Sequence, residues 1–212
     1  MNRYKSNRFI YKWKRRGAIL KKRSLDILLG RDEGLNFTPT AWTAIIALFT
    51  LYSEINGSSI IILLSLLLFL LLIIVSIIDI QYFIIADIPL YTLFLLMFLY
   101  LVSFKPDQLI PHLYSTFTGY FTIIFIRIVY RYIRQIDAIG IGDAKLYAFA
   151  GFCLGYNNLP STMLIAVFSA ILSSFIALKN GHLGNLKEPI PFGPHLALGI
   201  WLVWVFGPIQ FG

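Results

Sequence analysis

Cysteine and charged residues are what this 212-residue sequence has least of. It contains a single cysteine, Cys153, so neither an intrachain disulfide nor a multi-cysteine metal site can form. Only 13% of the residues are charged, whereas 58% are hydrophobic. One small core could not hide that much apolar surface from water, which excludes an ordinary soluble domain. The sequence therefore predicts that most of the chain lies in lipid, with no metal site.

The sequence contains long apolar segments with few or no charged residues. Residues 58–78, SSIIILLSLLLFLLLIIVSII, carry no charge over 21 positions, and a helix of that length crosses a hydrocarbon core of about 30 Å. Six further segments predict membrane helices at about 38–53, 88–104, 111–130, 143–158, 160–178 and 194–211. We expect an all-α, polytopic transmembrane bundle of about seven helices. A basic segment, 1–35, precedes a membrane-embedded domain, 36–212, and no second soluble domain is expected.

Basic residues are concentrated at the start of the chain. Of the 18 Lys and Arg residues, 11 lie within the first 31 positions, which predicts a cytoplasmic N-terminus by the positive-inside bias. This basic segment lacks the compact apolar region and cleavage site of a signal peptide. Because its charges precede lipid-spanning segments, we expect it to meet anionic headgroups rather than nucleic acid.

Two of the ten acidic residues stand at predicted membrane boundaries. Asp79 ends the most apolar segment, in SIIDIQYFIIADIP, and Asp143 begins another, in GIGDAKLYAFAG. Threading the helices from a cytoplasmic N-terminus places both on the cytoplasmic side. An ionisable residue at such a boundary indicates a functional site, although a carboxylate that caps a helix N-terminus is the structural alternative for Asp143.

A pair of neighbouring carboxylates can share one proton, because two like charges in a low dielectric do not both ionise cheaply. One then acts as general base on a water while the other polarises a carbonyl, as in aspartic proteases. Such a pair titrates as a unit, so neither aspartate is assigned a fixed role. Gly140 and Gly142 allow unusual backbone conformations and the close approach of an extended substrate.

The order of these motifs resembles that of a known protein family. GIGDAKLYAFAGFCLG resembles the GxGDxKLxAxxGxxxG motif of the type IV prepilin peptidases, which are intramembrane aspartyl proteases, and IIDIQYFIIADIPL is similar to their upstream aspartate motif. The later IPFGPHLALG is similar to their IPFGPFLALG, so the match covers roughly residues 58–200. The resemblance implies that Asp79 and Asp143 form the catalytic dyad. It also assigns four residues to the second motif, with roles in substrate positioning: Gly140, Gly142, Lys145 and Leu146.

The resemblance implies a peptidase of the bacterial inner membrane with its active site toward the cytoplasm and no cofactor. Its substrate would be a prepilin or pseudopilin whose short basic leader is removed after a glycine. Ala86 departs from the family's usual proline before Asp87. The chain also lacks the cysteine-rich insert associated with N-methylation, which speaks against methyltransferase activity.

Two other functions remain open from the residues alone. A cation or proton-coupled transporter could use intramembrane carboxylates, but it predicts acidic groups near the bilayer midplane rather than at one edge. An inactive pilus-assembly scaffold of the same fold is disfavoured by the intact GxGD sequence. Lys145 could bind a substrate carbonyl, bias the dyad electrostatically or reach lipid headgroups. Gly151 and Gly155 form a GxxxG pair, which favours close helix packing.

Overall fold

The computed structural model of the protein describes residues 59–135, 139–179 and 190–209, and the regular structure in these ranges is entirely helical. The all-α prediction is confirmed for this part of the chain. The helices are α1 (Ser59–Tyr82), α2 (Asp87–Phe104), α3 (Leu109–Arg134), α4 (Ile141–Leu154), α5 (Leu159–Lys179) and α6 (Gly193–Phe206). Short 3₁₀ turns, Pro106–Gln108 and Tyr156–Asn158, precede α3 and α5.

Four of these helices are long and apolar enough to cross a membrane: α1, α2, α3 and α5. Their outer faces carry large exposed apolar side chains, such as Phe117, Phe121 and Phe125 on α3. The chain is therefore a multi-pass membrane protein. The predicted basic segment 1–35 and apolar segment 38–53 lie outside the described residues, so the count of seven crossings and the orientation stay predictions.

The other two helices, α4 and α6, have 14 residues each. At a rise of 1.5 Å per residue such a helix is roughly 21 Å long, less than the thickness of the hydrocarbon core. Both end earlier than the predicted segments 143–158 and 194–211. The reason is a glycine with a φ of 81°, Gly155 after α4 and Gly207 after α6, in a left-handed conformation that glycine adopts without strain.

Helix α4 forms the centre of the described bundle. Ala144 and every residue from Leu146 to Leu154 are buried, as expected for a helix that is apolar on all sides. Helix α3 packs closely along it, since a methyl group added at Gly119 would lie 2.7 Å from the Tyr147 carbonyl oxygen. A methyl group at Gly151 would overlap the backbone carbonyl of Ser115. Small residues therefore set this helix spacing, as is common in membranes. Of the predicted GxxxG pair, Gly151 makes a packing contact and Gly155 ends the helix.

We predict that Gly151→Val destabilises the protein by about 1–3 kcal/mol, because overpacking forces α3 away from α4. Valine has a higher intrinsic helix propensity than glycine, so a loss of stability would come from the contact between helices. Thermal unfolding of the purified protein in detergent measures the effect. Leu95→Val, at an exposed position on α2, is the control. An unchanged midpoint for Gly151→Val would contradict the close contact.

Candidate active site

Asp79 lies in the last turn of α1, and its side chain is only 5% exposed. The helix ends at Tyr82: the Phe83 N–H still donates to the Asp79 carbonyl at 2.8 Å, but Phe83 itself adopts a φ of 55°. A left-handed residue of this kind commonly ends a helix, although it is usually glycine. The chain then runs through the linker, residues Phe83–Ala86, into α2.

The Asp79 carboxylate is held by the start of α6. The backbone N–H of Gly193 donates a hydrogen bond to Asp79 Oδ2 at 2.8 Å, and both groups are buried. Gly193 is the first residue of α6 and Pro194 is the second, so the carboxylate faces the positive end of a helix dipole. A methyl group at Gly193 would lie 2.7 Å from the same carboxylate oxygen. Only glycine fits here without moving Asp79.

Asp143 is the third residue of α4, and its carboxylate caps its own helix. Asp143 Oδ2 accepts a hydrogen bond from the backbone N–H of Gly140 at 3.1 Å. The capping geometry considered for Asp143 from the sequence is therefore present. It engages one of the two carboxylate oxygens, so capping and a chemical role are compatible.

The structure brings together Asp79 on α1 and Asp143 on α4, which are 64 positions apart in the sequence. Gly193, which donates to the Asp79 carboxylate, and Gly142, which directly precedes Asp143, both lie against Ile85. Within the described residues, the hydrogen bonds to both side chains use Oδ2, which leaves Oδ1 of each for water or substrate. Two carboxylates so arranged can exchange a proton and act on a shared water. In the same part of the chain, no group of His, Cys, Asp and Glu side chains could hold a metal ion.

Gly142 lies against the linker between α1 and α2. A methyl group at Gly142 would lie 2.7 Å from Ile85 Cγ1 and 2.9 Å from Ile85 Cβ. The close approach that the sequence indicated at this glycine is thus made by the chain itself. A contact of Gly140 or Gly142 with substrate stays a prediction.

Lys145 and Leu146, the other two motif residues, have different surroundings. Lys145 Nζ forms an ion pair with Asp87 Oδ1 at 2.6 Å, with both side chains partly exposed. This bridge joins the fifth residue of α4 to the first residue of α2. Leu146 is completely buried and packs in the bundle core. Roles of these two residues in substrate positioning stay predictions.

Three residues of the candidate site were not identified from the sequence. They are Gly193, Ile85, and Asp87, which is the ion-pair partner of Lys145. A signal existed for Gly193, because IPFGP combines a glycine with a proline at the start of a predicted helix, where free N–H groups bind anions. Ile85 is an ordinary apolar residue in an apolar stretch and has no such signal.

A profile of the type IV leader peptidase family matches residues 66–176, about half of the chain, including both aspartates. The chain belongs to this family.

Named relatives of the leader peptidase family match parts of the chain. The prepilin leader peptidase/N-methyltransferase of Burkholderia pseudomallei is 37% identical over 89 residues, 42% of this chain and 28% of the relative. The enzyme of the same name from Pectobacterium carotovorum is 28% identical over 137 residues, 65% of this chain and 47% of the relative. Leader peptidase HopD of Escherichia coli is 32% identical over 99 residues, 47% of this chain and 64% of the relative. The chain thus spans between about a quarter and two thirds of these leader peptidases. No solved structure matches it.

Charge reversal tests the Lys145–Asp87 bridge. Lys145→Glu should lower the unfolding midpoint, because it faces Asp87 with a like charge, whereas Lys145→Met should cost less than about 1 kcal/mol, as for a partly exposed pair. The double variant Asp87→Lys/Lys145→Glu should recover most of the lost unfolding midpoint. Recovery should be incomplete because a cation at the N-terminus of α2 is slightly destabilising. A double variant no more stable than Lys145→Glu would argue against the bridge.

Proposed function

We propose that this protein is an intramembrane aspartyl endopeptidase that removes the short basic leader of prepilin-like proteins at the cytoplasmic face of the bacterial inner membrane. The cut falls after a glycine, and the catalytic dyad is Asp79 and Asp143. The relatives named as leader peptidases and the family membership of the chain support this assignment.

One observation carries the proposal: two carboxylates from separate helices, Asp79 buried and Asp143 partly buried, lie next to glycines that both contact Ile85. Each is already oriented by a backbone N–H, from Gly193 and from Gly140. Preorganised carboxylates of this kind need little rearrangement at the moment of reaction. A transport pathway would instead need polar groups along the bundle, whereas the buried surface of α4 is apolar.

The proposed reaction uses both carboxylates with one proton between them. Repulsion between the aspartates and their removal from water favour the singly protonated pair. The ionised member takes a proton from a water, which attacks the scissile carbonyl, while the protonated member donates a hydrogen bond to the carbonyl oxygen. The tetrahedral intermediate collapses when the leaving nitrogen receives a proton from the pair. Which aspartate begins as the base is a property of the coupled pair.

Substrate placement follows from the membrane. A prepilin or pseudopilin has an apolar helix already inserted in the bilayer, which holds the scissile bond near the depth of the dyad and reduces the search to local positioning. Anionic lipids would attract both the basic leader and the basic segment 1–35 of this chain. No cofactor and no nucleic acid enter the proposed reaction.

The test is co-expression with a tagged prepilin from the same genome. We predict that wild-type protein releases the leader by a single cut after its glycine and that Asp79→Asn and Asp143→Asn each abolish it. Asparagine keeps the shape but cannot accept the proton from water. Immunoblotting measures processing, and mass spectrometry of the product gives the cut site and any methylation.

The variants must be present in the membrane at wild-type levels for a valid comparison. Processing by both well-expressed variants would exclude the aspartyl mechanism. Failure of wild type on every prepilin of that genome would favour the scaffold or the transporter. A product without added methyl mass would agree with the expected absence of methyltransferase activity.

Two glycines of α6 provide a matched pair of variants. We predict that Gly193→Ala lowers kcat by about 100-fold, because its methyl group displaces Asp79 from its position at the helix start. Gly199→Ala is equally tight but faces Thr162 on α5, where a methyl group would lie 2.5 Å from the carbonyl oxygen. It should lower stability and leave kcat per folded molecule near wild type. Equal kcat values for the two variants would contradict the role of Gly193.

A further inference from the structure

The linker between α1 and α2 places one apolar side chain next to both halves of the candidate site. Its residue Ile85 is 6% exposed although it lies outside a helix. The linker starts four residues after Asp79, where the Phe83 N–H to Asp79 O hydrogen bond ends α1. Its far end is Ala86, which precedes the first residue of α2. Both of its ends are thus attached to helices, so Ile85 has little freedom to move.

Ile85 reaches the start of α4 on one side and the start of α6 on the other. A methyl group at Gly142 would lie 2.7 Å from Ile85 Cγ1, and one at Gly193 would lie 3.0 Å from Ile85 Cδ1. Gly142 directly precedes Asp143, and Gly193 donates the hydrogen bond to Asp79. Successive atoms of one branch of the side chain, Cγ1 and Cδ1, therefore contact the two backbone segments that hold the carboxylates.

We propose that Ile85 is a positioning residue that acts as a spacer between the N-terminal ends of α4 and α6 and thereby holds Asp79 and Asp143 at their working separation. The proposal rests on the proposed peptidase function and assigns no chemistry to Ile85 itself. A β-branched side chain suits the role because its χ1 angle is stiff. Gly142 and Gly193 fit this role because any larger residue at either position would displace the Ile85 side chain.

The test uses a graded pair of variants in purified enzyme. Ile85→Val removes only Cδ1 and so loses the contact near Gly193, whereas Ile85→Ala also loses Cγ1, the side-chain atom nearest to Gly142. We expect kcat to fall by less than about tenfold for Ile85→Val and by about 100-fold for Ile85→Ala, with KM within about twofold of wild type, because misplacement of reacting groups by about 1 Å has effects of this size. Steady-state cleavage of a purified prepilin measures both constants.

Ile123→Ala is the matched control. Ile123 is also buried, on α3 and in the same core cluster, but its atoms are not among those nearest Gly142 or Gly193, so its truncation should lower stability and leave kcat of the folded enzyme unchanged. If Ile123→Ala lowers kcat as much as Ile85→Ala does, the effect of Ile85 is general destabilisation and the spacer role is wrong. A kcat for Ile85→Ala near wild type would also overturn it.

A second readout does not depend on proteolysis. Spin labels at Ile141→Cys on α4 and Leu198→Cys on α6, both exposed positions, report the separation of the two helices after Cys153 is replaced by alanine. We expect Ile85→Ala to widen or shift the distance distribution and Ile123→Ala to leave it unchanged. A distance distribution in Ile85→Ala identical to that of wild type would refute the spacer role, even if the protein cleaved no prepilin. A changed distribution in a protein that cleaves no prepilin would contradict only the peptidase assignment.

Discussion

The hydrogen bond from the Gly193 N–H to Asp79 joins the first and last helices that the structure describes, across 114 positions of sequence. A buried polar group without a partner costs roughly 1–3 kcal/mol, and more when it is charged. Asp79 is buried, so it depends on the N-terminus of α6 for a hydrogen-bond donor and for the positive end of a helix dipole. The start of α6 is in turn fixed by glycine and proline, which allow the backbone to approach the carboxylate.

Helix packing determines where these groups lie, because lipid supplies no hydrophobic force between helices that are already in the membrane. Helix α4 is fixed against α3 at Gly119 and Gly151, whereas α6 is fixed against α5 at Gly199. Helices α4 and α6 are thus packed at these glycines against different neighbouring helices. At the candidate site, both helices also contact Ile85 of the linker.

Much of this arrangement can be predicted from sequence, and the rest cannot for a physical reason. Apolar runs with few charges predicted the six described helices, and the boundary positions of Asp79 and Asp143 singled out these two carboxylates. Helix ends at Gly155 and Gly207 were missed, since composition alone does not reveal a positive φ. The partners of Asp79 and Lys145 lie 114 and 58 positions away. Such contacts depend on how helices pack, and local periodicity carries no information about that.

The two aspartates are oriented in different ways, and the difference bears on the proposed chemistry. Asp143 accepts its hydrogen bond from Gly140 of its own helix start, so this cap forms whenever α4 forms. Asp79 accepts its hydrogen bond from another helix, so it is oriented only when α6 is packed in place. In the proposed reaction, a small displacement of α6 would therefore change the environment of Asp79 while leaving the cap of Asp143 intact. In the proposed mechanism, the packing of α6 thus controls whether the two carboxylates act together.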